Sequence, residues 1–140
     1  AARMAAVAGR RASTMEFLTE IENHPERWPQ PAIRALTAEA RAALCQPGQS
    51  EAFQLLNLAR QLWTSAGSDY HAGRVRLLLA SALLAAGDRS GARTELSAVR
   101  LTADRIGSRR LSDQAAAGMD MLASERSAKD KPPVRTVTAA

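Results

Sequence analysis

Apolar residues recur along most of this chain at steps of three and four. Ala52, Leu56, Ala59 and Trp63 form one such stripe, and Ala92, Leu96, Val99, Ala103 and Ile106 form another. A 3.6-residue period puts each set on one side of a helix. No stretch alternates with a period of two, and β-branched or aromatic residues never dominate a run, so no strand is predicted. Residues 75–86 are apolar on nearly all sides, which predicts a helix buried between neighbours.

Breaker clusters divide the pattern. They fall at Asn23-His24-Pro25, Trp28-Pro29-Gln30-Pro31, Gln46-Pro47-Gly48, Gly67-Ser68, Gly87-Asp88 and Gly107-Ser108. Six helices are predicted between them, at about 3–22 (weakened at Gly9), 32–45, 50–66, 69–86, 90–106 and 109–127. Pro31 suits a first helical position, where its missing amide costs nothing. Ser68, Asp69 and Asp88 are placed to accept hydrogen bonds from free amides at helix starts. Gly67, Gly87 and Gly107 fall where each chain reversal needs left-handed angles. The helical domain is therefore expected over 1–127. Residues 128–140, with Pro132-Pro133, are expected to be a linker or disordered tail.

Two stretches superpose. Ala52, Leu56, Ala59, Arg60, Gly67 and Ser68 correspond to Ala92, Leu96, Val99, Arg100, Gly107 and Ser108, each pair offset by 40 (92 minus 52, 107 minus 67). A fixed period of this size marks stacked helix pairs. One pair cannot hide its own apolar face, so neighbours share a core.

Leu79-Ala80, Leu83, Gly87-Asp88, Ala92, Leu96 and Val99 resemble a tetratricopeptide repeat. There a small residue marks a helix crossing, a large one follows, and a turn leads to the second helix. The unit before it departs from the motif, because Glu39 and Ala43 stand at its larger apolar positions. Arg76 replaces its first aromatic and Asp104 its closing proline. The period of 40 also exceeds the usual length of about 34. Over roughly residues 32–122 the phrasing Tyr70-His71-Ala72, Arg76-Leu77-Leu78-Leu79-Ala80 and Gly87-Asp88-Arg89-Ser90-Gly91-Ala92-Arg93 is similar to the helical arrays of large bacterial LuxR-type and MalT-like regulators. The resemblance implies an all-α fold, a right-handed α-α superhelix of about two and a half helix pairs after a first helix. It also implies a cytoplasmic protein-interaction and signal-relay module of a bacterial transcriptional or signalling regulator. No phosphate-loop sequence and no separate DNA-binding domain is visible in the chain. The chain opens on Ala1 rather than Met, which reads as a piece of something longer.

Composition narrows the chemistry. Hydrophobic residues make up 46% of the 140 residues and aromatics only 4%, so a core must be built from small and aliphatic side chains. The single cysteine, Cys45, excludes an internal disulfide and cannot build a metal cluster alone, and it suits a reducing compartment. It is read as a small buried hydrophobe. The longest apolar run is too short to cross a bilayer, and no signal-peptide core is present. The net charge of +5 could attract nucleic acid, but no basic run exceeds two residues (Arg10-Arg11, Arg109-Arg110).

No catalytic, metal or cofactor constellation emerges. His24 and His71 share no ligand spacing. The residue types in Ser68-Asp69-Tyr70-His71 are suggestive, but neighbours at a helix start point in different directions. Residues 101–110 hold Ala103 and Gly107 four apart, as in a helix-turn-helix, but Asp113 and Gln114 stand where the second helix needs an apolar anchor. Trp28 and Trp63 are read as packing anchors.

The resemblance assigns a concave groove to the first helix of each pair. That puts Arg34, Thr37 and Arg41, then Arg74, Leu77 and Ser81, then Gln114 and Met121 along it. Within that set, Arg34, Arg41, Arg74, Ser81 and Gln114 are the candidate partner-binding residues. Guanidinium groups there would suit an acidic peptide or carboxylate. The expected partner is protein, either another domain of the same chain or a second copy. Nucleic acid is expected only through an adjoining domain, with direct binding by Arg-rich faces as the alternative. No membrane contact is expected.

Overall fold

The computed structural model describes residues 2–24, 26–27, 30–46 and 48–130, with side chains described only within 8–125. The chain is all-helical over these residues. The elements are α1 (Ala2–Asn23), α2 (Pro31–Leu44), α3 (Ser50–Ser65), α4 (Asp69–Ala85), α5 (Arg89–Ile106) and α6 (Arg109–Asp130). Helix α1 passes through Gly9 without a break, and α6 runs three residues beyond its expected end at Ser127. Trp28 and the segment holding Pro132-Pro133 lie outside the described residues.

Pro31 is the first residue of α2, where a proline removes no helical hydrogen bond. The turns after α3 and α4 are built alike. Ser68 N–H donates to Trp63 O and Gly67 N–H to Thr64 O, each at 3.0 Å; Asp88 N–H donates to Leu83 O at 2.8 Å and Gly87 N–H to Leu84 O at 3.0 Å. These are the paired reverse bonds that close a helix with a left-handed residue. Gly67 and Gly87 supply it, with φ of 76° and 85°. A Cβ at either position would meet nothing within 4 Å, so the backbone angle alone demands glycine.

The caps differ from one another. Asp88 accepts from Gly91 N–H at 2.8 Å. Ser68 makes no such side-chain bond, and Asp69 accepts instead from Arg105 Nη1 at 2.8 Å. The capping expected of Ser68 and Asp69 is thus not made, because the Arg105 guanidinium draws Asp69 across to α5. Asp88→Ala is expected to cost about 1 kcal/mol, and Ser68→Ala close to nothing. Urea unfolding of the two variants side by side checks this.

From α2 to α6 the helices pack on their neighbours in sequence, most extensively as the pairs α2–α3 and α4–α5, and α4 also touches α6. One buried cluster joins α2, α3 and α4 through Ala35, Ala38, Leu56, Ala59, Trp63 and Val75. Two more join α4, α5 and α6: Ala80, Ala92, Leu96 and Leu122 in one, and Val99, Ala103, Leu111 and Ala115 in the other. Alanines at these crossings let the helix axes approach closely. Ala80 and Ala92 share one cluster, as the small-residue crossing read from the sequence requires. The stripes Leu56–Ala59–Trp63 and Leu96–Val99–Ala103 are buried at equivalent positions, while Ile106 at the end of α5 is exposed.

Helix α4 is not buried all round. Ala72, Val75, Leu79 and Ala80 are buried, but Leu78 is 42% exposed, and Ser81 and Ala85 are also exposed. The open edge has a use described below. Among the described residues, no helix is long and apolar enough to cross a membrane.

Candidate functional site

Equivalent positions on α4 and α6 face one another across α5. Leu77, Ser81 and Ala85 stand opposite Ala117, Met121 and Glu125, each 40 residues on (77 to 117, 81 to 121, 85 to 125). Together with Gln114 they border an open groove of about 470 Å³. Its floor is Ala80, Leu96 and Gly118. A Cβ at Gly118 would stand 2.8 Å from a Leu96 methyl, so glycine is what lets α6 settle against α5 there. Met121 is 58% exposed on the rim. The groove is apolar at its base, with a hydroxyl, an amide and a carboxylate along its edges, and Arg89 Nη1 donates to that Glu125 carboxylate at 3.1 Å.

The five sequence candidates divide. Ser81 and Gln114 share the α4–α6 groove. Arg34 and Arg41 instead border a smaller groove of about 300 Å³ between α1, α2 and α3, with Leu58 and Leu62 on its far side. Arg74 stands at the contact of α4 with α2, where its Nη2 lies 2.6 Å from Glu39 Oε1.

Two of the three guanidinium groups are answered within the chain. Arg41 donates through Nε to Glu22 Oε1 and through Nη2 to Glu22 Oε2, the latter at 2.6 Å. That hydrogen-bonded carboxylate raises the Arg41 guanidinium above its ordinary value, outweighing the lowering by burial. Arg74 is held by Glu39, whose side chain is only 10% exposed. Glu39 Oε2 also accepts from Trp63 Nε1 at 2.8 Å. Trp63 in turn stacks on His71 with centroids 4.2 Å apart, and the Tyr70 ring meets His71 edge-on at 5.4 Å. The row of arginines expected for an acidic partner is therefore not formed, because Glu22 and Glu39 neutralise two of its members from inside.

The residues that depart from the repeat motif carry these bonds. Glu39 occupies a position that calls for a large apolar residue and serves as the acceptor for Trp63 and Arg74. Arg76, at the motif's aromatic position, donates to Glu95 Oε2 at 2.8 Å and ties α4 to α5. A polar residue on a buried edge must be paired, and that mismatch was the sequence signal for both bridges. Sequence reasoning missed Ala117, Gly118 and Leu96 as groove residues, although the offset of 40 from Leu77 pointed at the first.

Cys45 is half-buried at the end of α2, and its Sγ lies 3.4 Å from Arg41 O. Among the described residues, no three His, Cys, Asp or Glu side chains are grouped closely enough to share a metal ion. Comparison with protein-family models, with curated proteins and with solved structures finds no match to this chain.

Proposed function

We propose that this chain is a helical-repeat interaction module that receives a peptide or helix of a partner protein in the α4–α6 groove and does no catalysis itself. The observation that carries this reading is the pairing of equivalent repeat positions along both walls of one open groove. A surface built by duplication offers its exposed edges in register, and such edges are where stacked helix pairs take their partners. The apolar base and few polar edges suit a segment with an apolar face, and they replace the acidic ligand that the arginines suggested. The tetratricopeptide-like superhelix and the role as relay element of a cytoplasmic bacterial regulator belong to the same proposal. They are supported by the residue resemblance, the short turns and the forty-residue offset.

The test is selection of displayed peptides on the whole chain, followed by affinity measurement on variants. Ser81→Trp and Met121→Glu are expected to weaken a selected peptide by about ten-fold or more, and Arg34→Ala to leave it unchanged. Both groove residues are exposed, so the fold is retained. A peptide that responds to Arg34→Ala and ignores the groove variants overturns the reading.

A second reading has one specific observation behind it. Arg60 and Arg100 occupy equivalent positions on α3 and α5, and neither pairs with another described residue. Nucleic-acid binding through these two side chains requires affinity for duplex DNA that falls steeply with salt and is lost on joint replacement of Arg60 and Arg100 by glutamate.

A further inference from the structure

We infer that the groove between α1, α2 and α3 is a second binding site, which takes a small alkyl carboxylate. The acid group meets Arg34 and the chain lies on the leucines of α3. The apolar lining is Ile21 of α1, Ala38 of α2, and Leu55, Leu58 and Leu62 of α3, around a volume of about 300 Å³. That is the lower bound for a small-molecule site, and such sites pair an apolar lining with few polar groups.

The core accounts for only part of this leucine edge. Helix α3 already presents Leu56, Ala59 and Trp63 as its buried stripe. Leu55, Leu58 and Leu62, spaced three and four apart, form a second stripe beside it. Leu55 and Leu62 pack against the buried cluster and also line the groove, while Leu58 stays 41% exposed. The positions 40 further on, in α5, are Glu95, Ala98 and Thr102. The repeat therefore does not call for leucine along this edge, and only α3 carries it.

The charge of the groove selects the ligand. Arg34, Arg41 and Glu22 border it. Arg41 is occupied by both oxygens of Glu22, so the three groups leave one positive charge, that of Arg34. Among the described residues nothing answers the Arg34 guanidinium, whereas its equivalent forty residues on, Arg74, is held by Glu39. The Thr37 hydroxyl donates to Ile33 O at 2.8 Å and brings no free donor. A guanidinium binds a carboxylate through two parallel N–H groups, which makes a single negative charge with an apolar tail the complement of this groove. Arg34 and Arg41 are seven residues apart, about 10 Å along α2, and a chain held at Arg34 has that length of apolar wall beside it. An α-helix, about 10 Å across with its side chains, is too wide for the volume over that length.

This site shares no residue with the α4–α6 groove. Carboxylate binding therefore stands or falls independently of peptide binding there.

Titration of the whole chain with octanoate, decanoate and octylamine, each kept below its micelle concentration, tests this through the leucine methyl NMR signals. Octanoate is expected to bind at about 1 mM and to shift Leu58 and Leu62. Decanoate is expected to bind roughly ten-fold tighter, since each buried methylene contributes about four-fold. Octylamine is expected to bind at least about ten-fold more weakly than octanoate. Arg34→Gln should remove that preference and Arg34→Glu should reverse it, while Leu58→Glu should weaken both carboxylates by about ten-fold. Arg34 and Leu58 are both exposed, and circular dichroism of the variants is expected to match the parent chain. No shift of Leu58 or Leu62 at about 10 mM decanoate (roughly a hundred times its expected constant), equal binding of octanoate and octylamine, or a carboxylate preference that survives Arg34→Glu would each overturn the proposal.

Discussion

Trp63→Ala is expected to unfold with about 4 kcal/mol less free energy than the parent chain, the upper part of the range for losing a buried indole. Trp63 is 5% exposed and packs in the cluster that joins α2, α3 and α4. Its removal leaves a cavity among alanines, whose short side chains cannot collapse into the space. It also takes from Glu39 the indole N–H donor and from His71 the ring it stacks on. Trp63→Phe separates these contributions. It keeps most of the packing and loses the donor with part of the ring, so its expected cost is about 1–2 kcal/mol. Chemical unfolding with an unchanged denaturant slope checks both values. A Trp63→Phe loss as large as that of Trp63→Ala would mean that the hydrogen bond, and not the packing, holds α2 to α3.

The second large effect is at the other end of the core. Leu111 is fully buried in the cluster of α5 and α6, and a Cβ built on Gly73 of α4 would meet its side chain. Leu111→Ala is expected to cost about 3 kcal/mol. The glycine makes this prediction sharper. In the parent chain a methyl at Gly73 would come within 3.0 Å of Leu111 Cδ1, so the helix-propensity gain of about 1 kcal/mol from Gly73→Ala is offset by crowding. Once Leu111 is shortened, the same methyl has room. Gly73→Ala should then recover about 1 kcal/mol or more of the loss. The double variant is therefore expected to be more stable than the sum of the two single changes predicts. Strict additivity would show that α4 and α6 do not press on each other at this point.

Element boundaries were legible because breakers stand at nearly every junction. Gly67, Gly87 and Gly107 stop α3, α4 and α5 within a residue of where the chain reads, and Pro31 starts α2. The end of α6 was less legible, since no glycine or proline lies between Gly118 and Pro132. Half of the candidate site was legible as well. Ser81 and Gln114 meet in one groove because α4 and α6 both pack on α5. The other half failed because α2 packs among different neighbours from α4. The buried edge of α2 runs Ala35–Ala38–Ala42, whereas α4 buries Val75 but exposes Leu78, the equivalent of Ala38. Arg34 and Arg41 line a groove beside α1, away from the one between α4 and α6. The surroundings of a helix depend on which neighbours press on it, and Glu39 of α2 is held by Trp63 of α3 and Arg74 of α4, residues that periodicity alone does not link to it.

Ion pairs were the other illegible layer. Glu22 with Arg41 and Arg76 with Glu95 join neighbouring helices, and Asp69 with Arg105 reaches from α4 to α5. None of these follows from the i to i+4 pattern by which charge pairs on a single helix are read.

The left-handed glycines at 67, 87 and 107 stand at equal intervals of 20 residues, and each closes a junction with open space around it. A chain with interchangeable joints can be lengthened by copying the stretch from one to the next but one, since the new seams need only the same backbone angle. Forty residues inserted after Gly107 would meet a joint already suited to them. Lengthening by whole helix pairs would thus leave the geometry of every existing joint unchanged.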